Sequence, residues 1–113
     1  VIAIGIIPNT ELAESAGAES NDGLVVDEYG RTSLANVWAA GDVVNQPSRH
    51  AGRRIRLESW QNAQNQAIRV ARNMVGEPAP YDELPWFWSD QYDINIQMFG
   101  VAAPHARIVW RGA

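Results

Sequence analysis

Cysteine is absent from this 113-residue sequence, which excludes a disulfide framework, a thiolate metal site and a CxxC redox pair. Long apolar runs are missing too. None approaches the roughly 20 residues of a membrane-spanning helix, so no membrane partner is expected. Positive charge is in short supply: 9 Lys plus Arg face 13 Asp plus Glu, and the formal net charge of −4 argues against nucleic acid as the main partner. The two histidines, His50 and His105, have no neighbour at metal-ligand spacing and are expected to face solvent. No internal repeat or low-complexity segment occurs. Neither a signal peptide nor an initiating Met opens the chain, which starts inside an apolar run and reads as a segment of a longer protein.

What is present is globular in character, 46% apolar and 19% charged. Val1–Ile7 is a continuous apolar run that predicts a strand buried on both faces, stopped by Pro8-Asn9. Thr10 is expected to cap a short helix over Glu11–Ser15 that ends at Gly17. Gly23–Asp27 reads as a short strand with a turn at Glu28-Tyr29-Gly30. Val37–Ala40 reads as a strand closed by Gly41-Asp42, and residues 44–56, which contain Pro47 and Gly52, read as a loop. Ser59–Val75 is the best helix. Trp60, Ala63, Ala67, Val70 or Ala71, and Met74 recur at helical spacing and predict an apolar stripe packed on a sheet or a flat ligand. Gly76 and Pro78 stop it, and the proline-rich residues 77–85 mark a domain boundary. Beyond the aromatics Trp86-Phe87-Trp88, the alternation of Ile94, Ile96 and Met98 predicts a strand, with Arg107–Trp110 as its antiparallel partner.

A strand that stops at Gly41-Asp42 would place both residues at the carboxyl edge of a sheet, where ligands bind in open α/β folds. Glycine lets a backbone approach a ligand closely. A carboxylate can accept hydrogen bonds from sugar hydroxyls, and the N–H groups that follow can face phosphate. The dipeptide alone is more simply a turn in which Asp42 bonds its own downstream backbone.

Longer segments frame the dipeptide. Gly5-Ile6-Ile7-Pro8-Asn9, followed by Ala35-Asn36-Val37-Trp38-Ala39-Ala40-Gly41-Asp42, resembles the GxxPN segment and second flavin-binding motif of the two-dinucleotide-domain flavoprotein oxidoreductases. Arg56-Leu57-Glu58-Ser59-Trp60-Gln61-Asn62-Ala63, then Gln66-Ala67, then Pro85-Trp86-Phe87-Trp88-Ser89-Asp90-Gln91 resemble the NADH-dependent ferredoxin reductases of bacterial oxygenase and cytochrome P450 systems. The resemblance implies an α/β fold. Residues 1–7 would be the last strand of an NAD-binding domain, 8–78 the second segment of an FAD-binding domain, and 79–113 the start of a C-terminal α+β reductase domain.

It also implies roles. FAD and NAD would be the cofactors. Gly41, Asp42 and Val43 would meet the ribityl and pyrophosphate region, Val43 through its N–H. Ser59 and Trp60 would open a helix aimed at the pyrimidine edge of the flavin, with the Trp60 N–H in contact, and Trp88 would pack beside the isoalloxazine. No catalytic side chain and no metal ligand is implied. The parent reaction would be hydride transfer from NADH to FAD, then delivery of single electrons to a [2Fe-2S] ferredoxin in the cytoplasm. Neither GxGxxG fingerprint occurs in this chain, so alone it is expected to be inactive. A rubredoxin reductase, an apoptosis-inducing-factor-like NADH oxidase, or a non-catalytic α/β interaction module are the alternatives.

Simpler roles compete at several positions. Trp60 fits core packing, Trp86 to Trp88 could anchor the C-terminal domain, Ser59 suits a helix cap, and Glu58 can pair with Arg56. Arg49, Arg53, Arg54 and Arg56 form a basic cluster, read either as a solvated loop or as a docking patch for an acidic ferredoxin.

Overall fold

The computed structural model describes residues 4–103 and 105–112. The elements run α1 (Glu11–Ser15), β1 (Leu24–Val25), β2 (Val44–Ser48), β3 (Arg53–Ile55), α2 (Trp60–Met74), β4 (Trp86–Gln91) and β5 (Ile94–Phe99), a mixed α/β arrangement.

Local chemistry places both helices where the sequence predicts them. Ser59 is extended, and its Oγ accepts from the Asn62 N–H at 3.2 Å, which caps α2. α1 starts after Thr10, but that residue does not cap it as expected. Thr10 already has near-helical backbone angles, so its hydroxyl donates to Glu14 Oε1 at 2.7 Å instead of accepting a backbone N–H. That bond, helped by Ser20, draws the Glu14 carboxyl below the usual carboxylate range.

The loop expected over residues 44–56 is instead a hairpin. β2 is central in a three-stranded sheet, parallel to β1 (Leu24↔Val44, Val25↔Asn45) and antiparallel to β3 (Gln46↔Ile55, Pro47↔Arg54, Ser48↔Arg53). Pro47 is compatible with a strand here because β1 has already ended, so β2 is bonded on one side only at that point. Arg54 holds the hairpin down: its guanidinium donates to the carbonyls of Val26, at 2.5 Å, and Asn45.

Three further expectations are corrected. Val1 to Ala3 lie outside the described residues, and Ile4 to Ile7 form no strand; Ile4 is 92% and Ile7 90% exposed. No described strand offers them a ladder, and an unpaired strand has nothing to fix it. Val37–Ala40 forms only a single antiparallel bridge, Arg31↔Trp38, supported by Ala39 N–H to Gly30 O at 3.0 Å. Arg107–Trp110 is not a strand; β5 pairs with β4, from Trp86↔Phe99 to Gln91↔Ile94.

The apolar core gathers Leu24, Val26, Val44 and Ile55 from the sheet region, Val70 from α2, and Tyr81. Burial pushes the Tyr81 phenol up, and the nearby Glu83 carboxylate adds to it. Residues 77–85 do not swing clear of the body. Tyr81 N–H donates to Glu28 O at 2.7 Å, and Asn73 both donates to Tyr29 O and accepts from Ala79 N–H, each at 2.8 Å.

The helix also turns a different face inward than expected. Trp60 is 69% and Met74 59% exposed, while Asn62, Gln66, Val70 and Asn73 are buried. The two stripes share one period and differ by a single position in phase. Amides can occupy the inner face because each finds a partner there; left unpaired, each would cost about 1–3 kcal/mol.

Candidate functional site

Gly41 and Asp42 do not end a strand. They form a turn that leads into β2, closed by Val44 N–H to Gly41 O at 3.1 Å. Gly41 has φ +85°, a backbone region that side-chain-bearing residues rarely enter, and it lies against the first turn of α2. A Cβ built on Gly41 would stand 3.6 Å from Ala63 Cβ.

The Asp42 carboxylate does not close this turn. Its Oδ1 is buried and, among the described residues, has no hydrogen-bond partner. The Asx-turn reading therefore fails at Oδ1, and a buried acceptor is left without a donor from the chain. Among the described residues no protein acceptor meets the backbone N–H of Asp42 or of Val43. The Gly41 N–H, by contrast, is taken: it donates to Gln66 Oε1 at 2.8 Å. Gly41 thus serves through its backbone shape, and the open donors belong to the two residues after it.

The turn is held from behind. Arg56, with 11% of its side chain exposed, pairs with Asp22 at 3.1 Å and Glu58 at 2.7 Å, and reaches the Asp42 carbonyl at 3.5 Å. Burial opposes the Arg56 charge, but the two carboxylates prevail and raise its pKa. Glu58 is accounted for by this pair.

The start of α2 completes the arrangement. The first N–H groups of a helix have no intrahelical acceptor and carry the positive end of the helix dipole. Ser59 satisfies one of them, that of Asn62. Trp60 sits on the exposed side, edge-on to Trp88 with ring centroids 6.0 Å apart. Trp88 stacks on Trp86 at 4.9 Å, and Trp86 stacks on Phe99 at 6.0 Å. The structure thus joins the sequence-predicted residues in one run: Gly41 on Ala63, Ala63 one helical turn from Trp60, Trp60 against Trp88. An orphaned buried acceptor, open backbone donors, a positive helix end and a cluster of aromatic side chains fit a ligand that carries hydroxyls, negative charge and a planar ring system.

Sequence reasoning missed the amides Gln46, Asn62 and Gln66 beneath this surface. Asn62, Gln66 and Asn73 recur with Val70 at helical spacing, a periodic stripe that could have signalled a buried polar face on α2 but not its pairing with Gln46 of β2.

The basic cluster is less uniform than its sequence. Arg49, Arg53, Arg54 and Arg69 line one cavity of about 860 Å³ together with Glu28, Asp82 and Glu83. Arg49 pairs with Asp82, and Arg54 is committed to backbone carbonyls. Arg53 is exposed. His50 is exposed with its ring 3.8 Å from Asp82, and His105 is exposed. Among the described residues there is no metal-ligand cluster and no helix long and apolar enough to cross a membrane.

Comparison with known proteins gives the family. Residues 1–67 match the pyridine nucleotide-disulphide oxidoreductase family and residues 86–113 match the reductase C-terminal family. The chain is 48% identical to the 5,5'-dehydrodivanillate O-demethylase ferredoxin reductase subunit of Sphingobium sp., over 99% of this chain and 27% of that protein. It is 45% identical to the ferredoxin–NAD(+) reductase component of the anthranilate 1,2-dioxygenase system of Burkholderia cepacia, over 99% of this chain and 28% of that protein. The crystal structure of the ferredoxin reductase for the CYP199A2 system from Rhodopseudomonas palustris superposes with TM-score 0.89 at 41% identity, covering 98% of this chain and 28% of that one. The covalent putidaredoxin reductase–putidaredoxin complex gives TM-score 0.87 at 41% identity, covering 96% of this chain and 26% of that one. The chain therefore spans just over a quarter of the length of these relatives. It belongs to the pyridine nucleotide-disulphide oxidoreductase family, in a branch that carries the reductase C-terminal region.

Proposed function

We propose that this chain is the segment of an FAD-dependent NADH–ferredoxin reductase that grips the ribityl side of FAD and borders its flavin ring. The observation that carries the reading is the buried, unpartnered Asp42 Oδ1 in the turn whose neighbouring residue, Gly41, lies against Ala63 in the first turn of α2. Bound FAD would supply the conversion of a two-electron hydride into single electrons. The chain's own residues hold and tune it. Asp42 accepts hydrogen bonds from ribityl hydroxyls, and the Val43 N–H donates toward the pyrophosphate. The N–H of Trp60, at the helix end capped by Ser59, faces the pyrimidine edge, where the positive dipole favours negative charge on a reduced flavin. Trp88 shields the ring from water. In this reading residues 8–78 belong to the FAD-binding domain, residues 1–7 close the NAD-binding domain, and residues 79–113 open the C-terminal reductase domain. The names of the relatives, reductases that serve ferredoxins in oxygenase systems, support the same partner chemistry here.

The test uses a full-length reductase that carries this segment, purified with FAD supplied. The reading expects a visible flavin absorption band and NADH-driven reduction of a [2Fe-2S] ferredoxin. Absence of the band rejects it.

We also propose a ferredoxin-docking surface on the arginine wall, centred on Arg53 and Arg49, which line the same cavity; Arg54, exposed like Arg53, has its guanidinium tied to the Val26 and Asn45 carbonyls. Opposite charges accelerate encounter chiefly at low ionic strength. Arg53→Glu should slow ferredoxin reduction several-fold at low salt, lose that deficit at high salt, and leave NADH-to-dye turnover unchanged. An unchanged low-salt rate removes Arg53 from the interface.

A further inference from the structure

Gln66 is 1% exposed, Asn62 1% and Gln46 5%, three amides in the interior of a small fold. They form one directed chain. Gly41 N–H donates to Gln66 Oε1 at 2.8 Å, and Gln66 Nε2 donates to Gln46 Oε1. Gln46 Nε2 donates to Asn62 Oδ1 at 3.3 Å, and Asn62 Nδ2 reaches Leu57 O at 3.4 Å. Asn62 N–H closes the far end on the Ser59 cap at 3.2 Å. Every link runs donor to acceptor in the same sense, so the bonds polarise one another. Turning any one amide over would set donor against donor and acceptor against acceptor.

The path connects two places. One end is the Gly41-Asp42 turn, whose Oδ1 lacks a protein donor. The other is the residues that open α2. Apolar packing between them is thin: Gly41 has no side chain, and among the described residues a Cβ built on it would find only Ala63 within 4 Å. Without the amides, little would fix how far the Asp42 carboxylate stands from the helix end, or in which direction it faces. A fold seeking only stability could fill these positions with apolar side chains of similar volume at little or no loss, because replacing both partners of a buried hydrogen bond is close to neutral. A directed amide chain instead selects one arrangement.

We infer that Gln66 is a positioning residue: relayed through Gln46 to Asn62, it holds the Asp42 carboxylate in register with the N-terminus of α2. This rests on the FAD reading above and deepens it, since both ends would grip the same cofactor. The Gln66 side chain hydrogen-bonds the Gly41 N–H and Gln46, and acts through Asp42.

The test is a double-mutant cycle in a full-length reductase that carries this segment, read as FAD dissociation constants from titration of apoprotein, with apoprotein melting temperature and the flavin reduction potential measured alongside. Gln66→Leu orphans the Gly41 N–H and should weaken FAD roughly tenfold. In an Asp42→Ala background the same change should cost less than about twofold, because the group it positions is gone. The flavin potential should also shift in Gln66→Leu, a signature that loss of fold stability alone would not produce. Gln66→Glu guards against a variant that simply fails to fold. It is nearly isosteric, and its protonated form restores both the acceptor for Gly41 and a donor for Gln46. FAD affinity of Gln66→Glu, relative to the parent, should therefore recover as pH falls. Equal losses in both backgrounds, or a lowered melting temperature with unchanged FAD affinity and potential, overturn the relay while leaving the FAD reading intact. If Asp42→Ala alone holds FAD as tightly as the parent, the Asp42 assignment itself fails, and the relay with it.

Discussion

Asp42→Ala, made in a full-length reductase that carries this segment, should weaken FAD binding by about 10- to 150-fold and at the same time stabilise the apoprotein or leave it unchanged. The two signs together make the prediction sharp. A hydrogen bond to a charged group contributes about 1.5–3 kcal/mol, which sets the expected loss of affinity. In the apoprotein the same carboxylate is a liability: Oδ1 is buried and, among the described residues, unpartnered. Removing an unsatisfied buried acceptor relieves a desolvation penalty of roughly 1–3 kcal/mol, offset by the small cavity left behind. A residue kept for the fold would behave the other way, lowering the melting temperature of apo and FAD-loaded protein alike. Asp42→Asn keeps a carbonyl acceptor in nearly the same place and should fall between parent and Ala in affinity. The measurements are an FAD titration by fluorescence quenching and thermal melts with and without FAD. An Ala variant with parental affinity, or one whose apoprotein melts well below the parent, removes Asp42 from the cofactor site.

What could be read from the sequence follows the range of the forces involved. α2 was legible almost to the residue, Ser59–Val75 expected and Trp60–Met74 observed, because a cap, a periodic stripe and a terminal glycine act within a few residues of one another. Its inward face was not legible. The stripes through Trp60 and Ala63 and through Asn62 and Gln66 share a period, and which one is buried depends on Gln46, distant in the chain. The β2–β3 hairpin was hidden for a related reason. Pro47, Gly52 and the arginines read locally as loop, while the strand exists because β1 and Arg54 supply partners across the sheet. At the site, the family pattern pointed to Asp42, Trp60 and Trp88; Trp60 and Trp88 meet edge-on, and Gly41, the residue before Asp42, lies against Ala63 of the same helix. The amides that join the turn to the helix escaped notice, since no spacing within a single element announces a pairing between elements.

Gly23→Ala should be a strongly disruptive single-methyl change behind this site. Gly23 has φ +105°, where a Cβ brings backbone strain of about 1–2 kcal/mol. The added carbon would also lie 2.5 Å from the Val43 carbonyl oxygen and 3.0 Å from Arg56 Cδ. The Arg56 side chain can shift, but the carbonyl cannot do so cheaply. It accepts the Leu24 N–H at 2.8 Å, the bond that starts the parallel pairing of β1 with β2. Overpacking of this kind costs roughly 1–3 kcal/mol more, so the total is about 2–5 kcal/mol. Gly52→Ala is the control, because Gly52 has φ +64° but nothing within 4 Å of where its Cβ would stand, which leaves the backbone strain alone. Denaturant unfolding of the two variants should separate them by at least the contact contribution. The functional consequence follows from the same atoms. Pushing the Val43 carbonyl away turns the Val43–Val44 peptide and disturbs the Asp42–Val43 peptide before it, and with it the Val43 N–H assigned to the pyrophosphate. Gly23→Ala should therefore weaken FAD binding beyond any change in Gly52→Ala, even under conditions where both proteins remain folded. Equal stabilities and equal FAD affinities for the two variants would mean that the Val43 peptide is free to move, and that the turn is not held from behind as these contacts require.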